Sequence, residues 1–333
     1  MASINRNQPC PCGSGRRNKH CCGSLAVPTT TSRGKSITDN DLFALVIAAD
    51  EEGLRAGEDP KQRAFMTIRR VMQQLRPGGY VLAGIGAPPE IDRIQGIIHN
   101  LYRPQDISVG GVHMGAFMFR DVFARLSVPI GFGTFRLDPL EHVDLSNTQK
   151  DWLRTRPADY AMLCDQFLDI FDFGYGLMDL GHTRKVGKDC HTFMGLAHFQ
   201  LQAAAATIAG AYDLRGAVQS ALLATELALK GGLAANGVSA DTLKLDFGHQ
   251  HSKMAAALAE LEPAFDVRRV ARVLGGFPAF VPNRYSADQP GRIETGHIVM
   301  GAQYAAAEVM RLLTNRDLRA SGGATHPRSY PVV

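Results

Sequence analysis

Four of the six cysteines in this 333-residue chain lie close together near the N-terminus: Cys10, Cys12, Cys21 and Cys22. They arrive as two close pairs separated by eight residues. Thiolates in that pattern suit a tetrahedral zinc ion, with Zn–S bonds of about 2.3 Å. Gly13 and Gly15 follow the first pair and can take positive φ, so the chain can fold back. Pro9 and Pro11 stiffen the approach, and Ser14 with the loop N–H groups can donate to sulfur. Almost no apolar residue precedes Leu25, so burial cannot fold this segment; bound metal would supply its folding free energy. His20 stands beside the second pair and competes with a cysteine for the fourth ligand position. Cys164 and Cys190 are isolated.

Charge points to the same segment. The formal net charge is +4. Residues 1–24 hold Arg6, Arg16, Arg17 and Lys19 with no acid, so the head accounts for all of it. Four thiolates around a divalent ion leave a doubly negative site, which Arg16, Arg17 and Lys19 would compensate. A basic head on a neutral body implies a protein, ribosome or nucleic-acid partner. The chain is 45% hydrophobic and 20% charged, which excludes a disordered or fibrous class. No run of 18 apolar residues is present and the N-terminus has no apolar signal core. The expectation is a cytoplasmic protein without a membrane partner, in which clustered cysteines mean metal before disulfides.

The run CPCGSG followed by CCG resembles the SEC-C zinc motif, written C-x-C-x8-C-C/H. The resemblance covers residues 9–24. It implies Zn²⁺ on Cys10, Cys12, Cys21 and Cys22 and an adaptor role towards proteins or ribosomes. It says little about the other 300 or so residues, because the motif is a module.

The body must position whatever the head recruits. Residues 25–38 read as a linker, rich in Thr, Ser, Gly and Pro. Residues 39–185 read as a middle domain of no recognised family, helical with a few strands. Asp39 or Asn40 caps a helix through Leu42, Leu45, Val46 and Ala49. A second helix spans Gln62 to Leu75 and stops at Pro77-Gly78-Gly79. Tyr80 to Ala83 reads as a short strand, and Gly84 to Glu90 as a plain turn opening a helix to Leu101. That turn lacks the glycine–lysine pattern of a phosphate loop. Gly115 to Leu126 reads as helix and Val128 to Leu137 as strand. Ser146 caps a helix through Trp152, and Pro157 starts a longer one. On that helix Tyr160, Leu163, Phe167, Ile170 and Phe171 form an apolar stripe. Asp165, Asp169 and Asp172 form an adjoining row. Such a row can hold Mg²⁺ or Mn²⁺, but without a partner helix carrying Glu-x-x-His it reads as a solvated face.

Residues 186–315 read as a helical bundle with short connections, and 316–333 as a flexible tail. Helices are expected at Gln200–Ala211, Val218–Leu233, from Gly248-His249-Gln250-His251 to Leu261 and at Glu294–Leu313, with a further turn or helix at Phe265–Leu274. An irregular loop spans 275–291. This arrangement resembles the HEPN superfamily, on Glu226-Leu227-Ala228-Leu229-Lys230, Gly248-His249 and Asn283-Arg284-Tyr285. The resemblance implies a homodimer that binds RNA or a nucleotide-like ligand, with Gly248-His249 packing against the second helix. Some members are metal-independent ribonucleases using R-x4–6-H, and Arg292-Ile293-Glu294-Thr295-Gly296-His297 fits that pattern at the start of the last helix. Arg292 would steady the phosphate and His297 would do acid–base chemistry. The position after the Arg is Ile rather than the family's polar residue.

The expected fold is mainly α: an N-terminal zinc knuckle, a small α/β or irregular middle, and a C-terminal up-and-down HEPN-like bundle. The expected function is that of a zinc-binding adaptor. The alternative is a HEPN-type ribonuclease of a defence or toxin system.

Overall fold

The computed structural model describes Asn7, Gln8, Arg17 and residues 37–331, except 85, 108–110, 132–135, 183 and 323–326. The zinc-head cysteines and most of the 25–38 linker lie outside the described residues. The chain divides into two compact units, residues 1–108 and 109–333.

The first unit contains three packed helices. In α1 (Asp39–Arg55), Thr38 is the N-cap and accepts from Asp41 N at 3.1 Å. In α2 (Pro60–Leu75), Asp59 and Gln62 form a reciprocal capping box, so the helix starts earlier than Gln62. In α3 (Pro89–Leu101), Pro89 takes the first helical position, where a missing N–H costs nothing. A single turn, α4 (Pro104–Ile107), follows. Leu42, Val46 and Ala49 meet Ile68, Val71, Met72, Ile91, Ile94 and Ile98 in one core. Tyr80 to Ala83 is not a strand. Tyr80 and Leu82 instead pack side-on against that core, and no described strand lies in this unit to pair with them.

The second unit opens with a β-hairpin, β1 (His113–Phe119) and β2 (Val122–Val128), antiparallel from His113↔Val128 to Phe119↔Val122. The expected helix at Gly115–Leu126 is therefore wrong. Six of the seven β1 residues are buried, so its apolar run does not alternate. Such a run cannot be told from a buried helix by periodicity. The turn is also unconventional, since Arg120 takes φ of +61° without being glycine. Gly115 is required: a Cβ there would lie 2.7 Å from Gln303 Oε1 and from Ile170 Cγ2. The strand expected at Val128–Leu137 is not seen either: Val128 ends β2, and 129–131 and 136–137 are irregular. Residues 132–135 lie outside the described residues.

Then come α5 (Asn147–Arg154), with its Ser146–Gln149 capping box, and α6 (Pro157–Asp179). α7 (Lys188–Gly210) and α8 (Leu214–Ala235) pack on each other along their lengths. A single turn α9 (Ala240–Thr242) and a wide turn at Leu243–Phe247 lead to α10 (His251–Leu261) and α11 (Val267–Leu274). The loop expected at 275–291 contains α12 (Phe280–Arg284). The last long helix is α13 (Arg292–Thr314), followed by α14 (Leu318–Ser321).

α13 is the centre of this unit. It packs against α8, α6, β1 and α11, and most of its residues from Thr295 to Thr314 are buried. Its run Ala305-Ala306-Ala307 lets neighbours approach closely, which is how so long a helix is covered all round. Because α6 and the hairpin form one wall around α13, the 185/186 boundary falls inside a single unit; the division lies at 108/109. The segment expected to be a flexible tail also packs on α6 through Leu318, Arg319 and residues 328–330. The described residues are mainly helical with a two-stranded sheet, and no helix among them is long and apolar enough to cross a membrane.

Candidate functional site

Cys10, Cys12, Cys21, Cys22 and His20 lie outside the described residues. Among the described residues no group of three or more His, Cys, Asp or Glu could hold a metal. Cys164 and Cys190 are free thiols. Burial raises both, Cys190 to about 11, so neither offers a thiolate near neutrality.

The aspartate row is not solvated. Asp165, Asp169 and Asp172 are fully buried on α6, and each is met by arginine. Arg311 donates from Nη2 to Asp169 (2.6 Å) and from Nε to Asp172 (2.8 Å). Arg328 donates to the other Asp169 oxygen (2.6 Å), and Arg319 pairs with Asp165. Backbone N–H groups complete the shell: Ser329 (2.6 Å) and Tyr330 (3.1 Å) on Asp165, Leu318 (2.9 Å) on Asp172. Buried carboxylates persist only when every oxygen finds such a partner. Burial raises Asp172 to about 6, helped by the neighbouring Asp169 charge and opposed by Arg311 and the Leu318 N–H. The partners lie in α13 and in the C-terminal segment, well over 100 positions away, so no local pattern marks this row as buried. Its chemistry is ion pairing, and it holds residues 318–319 and 328–330 onto α6.

That segment walls a cleft of about 560 Å³. Met162 of α6, Val273 of α11, Phe277 just beyond it, Ile298 of α13, and Tyr330 give it an apolar interior. Asp159, Arg272, Glu294 and His297 supply the polar groups. The His297 ring stacks on Tyr330, with centroids 5.9 Å apart and planes 10° apart, and Tyr330 Oη donates to His297 O at 2.9 Å. Burial pushes His297 below the usual histidine range, so at neutral pH it enters the cleft as neutral imidazole. Arg292 is engaged elsewhere. Its Nη2 donates to Asp121 O in the hairpin turn (2.9 Å), and its guanidinium lies 4.5 Å from the Phe123 ring centroid. Within one chain Arg292 and His297 thus have no partner in common.

The other quoted motif residues come together. Glu226 is buried on α8; its Oε1 accepts from Lys230 Nζ (2.7 Å), and its Oε2 pairs with His249 Nδ1 (2.7 Å). His249 stacks on Phe280 of α12 at 4.7 Å. His251 is bonded through Nε2 to Leu222 O (2.9 Å), and burial lowers its affinity for a proton. The Asn283-Arg284-Tyr285 run ends α12, whose Phe280 O accepts from Gln219 of α8 (3.3 Å). One pair was not anticipated. His113 of β1 and His198 of α7 meet through their Nδ1 atoms at 3.0 Å, and burial pushes His113 down to about 3.

The comparisons with known proteins bear on the head. Residues 6–24 match the SEC-C motif family. A 24-residue stretch is 67% identical to the protein translocase subunit SecA of Dichelobacter nodosus, covering 7% of this chain and 3% of that one. Twenty-seven residues are 59% identical to the uncharacterized protein YccF of Bacillus subtilis, covering 8% of each chain. The likeness thus spans under a tenth of either relative. No solved structure matches the chain.

Proposed function

We propose that this chain is a zinc-binding adaptor. Cys10, Cys12, Cys21 and Cys22 hold Zn²⁺, with His20 the alternative fourth ligand, and the basic head docks on a protein, ribosome or nucleic-acid partner. The observation that carries this reading is the SEC-C match at residues 6–24, coincident with the whole net charge of the chain. Four cysteines are a closed structural donor set, with no position left for a substrate. The body is read as a HEPN-like dimer that takes an RNA or nucleotide-like ligand. Supporting it are the joined Glu226, Lys230 and His249 and the aromatic-walled cleft at His297, whose size suits a nucleotide.

The test compares the full chain with one lacking residues 1–24, by density-gradient fractionation of cell extract and by binding to purified ribosomes and RNA. Recruitment should be lost on deletion while the body keeps its helical signal and melting transition. Equal recruitment by both chains refutes the adaptor role. RNA incubated with the purified protein separates the alternative: intact RNA with and without divalent ions excludes the ribonuclease built on Arg292 and His297. Cleavage abolished by Arg292→Ala and His297→Ala would establish it.

A further inference from the structure

A second cleft, of about 710 Å³, opens beside α10 and α12; Phe277 is the wall it shares with the His297 cleft. None of its described lining residues carries a carboxylate, whereas His249 and Lys253 both face it. Gln250 and Ser252 add neutral polar groups, and Phe280 with the prolines around it makes the opposite wall apolar.

His249 is held as a working imidazole is held. Glu226, buried on α8 and neutralised by Lys230, engages its Nδ1, and the ring is fixed against Phe280. A carboxylate on Nδ1 sets the tautomer and turns Nε2 outward as the reactive nitrogen. That ring is about half exposed. Lys253 lines the cleft; its Nζ donates to Asp246 O (2.7 Å) and lies 5.4 Å from the Phe247 ring centroid, which leaves its charge intact. The start of α10 adds to this, because its N-cap Gln250 makes no side-chain bond to the first turn. Charged and titratable groups near this cleft include Glu226 and Lys230 on α8, His251 and Lys253 on α10, and Asp246 in the turn that Lys253 bonds.

We propose that this cleft is a binding site for a small amphipathic anion, a phosphate monoester carried on an aromatic group. The phosphate is held by Lys253, the Ser252 hydroxyl and the His249 ring at Nε2, and the aromatic group lies against the apolar wall. Phosphate rather than carboxylate fits, because its higher negative charge and three terminal oxygens suit a lining with cationic and hydroxyl groups and, among its described residues, no carboxylate. The site is independent of the adaptor reading and stands whether or not the head binds zinc.

The full chain is titrated with phenyl phosphate, inorganic phosphate and phenol by calorimetry, and the His249 imidazole is followed by nitrogen-15 NMR. Phenyl phosphate should bind at least about tenfold more tightly than either fragment and should shift the His249 ring nitrogens. His249→Gln and Lys253→Met should each weaken it by about fivefold or more. Equal binding of the three probes, or binding unchanged by His249→Gln, overturns the proposal. If His249→Gln does not fold, the wild-type titration decides: His249 resonances unmoved at saturating phenyl phosphate overturn it as surely.

Discussion

Replacing Arg311 by methionine would remove the cation that three buried or part-buried acids share. Its side chain is only 10% exposed and contacts Asp169, Asp172 and Glu308. Asp169 would keep Arg328, but Asp172 would keep only the Leu318 N–H. Removing one partner of a buried pair typically costs about 3–5 kcal/mol. Against a typical stability of about 5–15 kcal/mol that is a large share, a fall in melting temperature of roughly 10 °C. Trp152, the only tryptophan, reports on the same unit; it lies on α5 with its ring edge-on to Phe119 at 5.3 Å. Urea unfolding followed by Trp152 fluorescence should show the loss. Adding Asp172→Asn to Arg311→Met should recover about 1–3 kcal/mol, because it removes the stranded charge. A loss under about 1 kcal/mol, or a double variant less stable than the single, would refute the claim that this network is desolvated and paired.

Asp172 also sets a pH dependence: its carboxyl is raised from 3.8 to about 6, so the folded state holds this proton more tightly than the unfolded chain. Its stabilising contribution is present at acid pH and is lost as pH rises from about 4 to about 6, up to about 3 kcal/mol in all. The stability difference between wild type and Asp172→Asn should therefore fall by about 2 kcal/mol between pH 4.5 and 6.5; a flat difference counts against the raised value. Gly115→Ala forces a Cβ to 2.7 Å from Gln303 Oε1 and should cost about 1–3 kcal/mol in the same urea assay. Ser146→Ala removes half of the α5 capping box and should cost about 1 kcal/mol; no change would mean that the cap is not formed in solution.

The sequence carried the helices well where their ends are chemically marked. Ser146, Pro157 and the Pro77-Gly78-Gly79 stop each lie at or next to an observed helix boundary. It failed at the hairpin, because β1 is buried on both sides and its turn rests on Arg120, a residue no turn rule selects. The aspartate row on α6 was visible as a pattern but its environment was not, since Arg311, Arg319 and Arg328 reach it only through the tertiary fold. The Glu226–Lys230 pair was legible from its i,i+4 spacing, whereas the bond from His249 crosses 23 positions. Arg292 and His297 were adjacent enough to suggest a pair, yet five residues along a helix put them on different partners. The head is read from sequence alone, because its cysteines lie outside the described residues.

The adaptor account stands or falls on metal content. Elemental analysis of the purified, reduced full chain should give about one zinc per chain, falling to background in the Cys12→Ser/Cys21→Ser variant. Reduced wild-type protein without stoichiometric zinc, or a variant that retains it, would contradict the account.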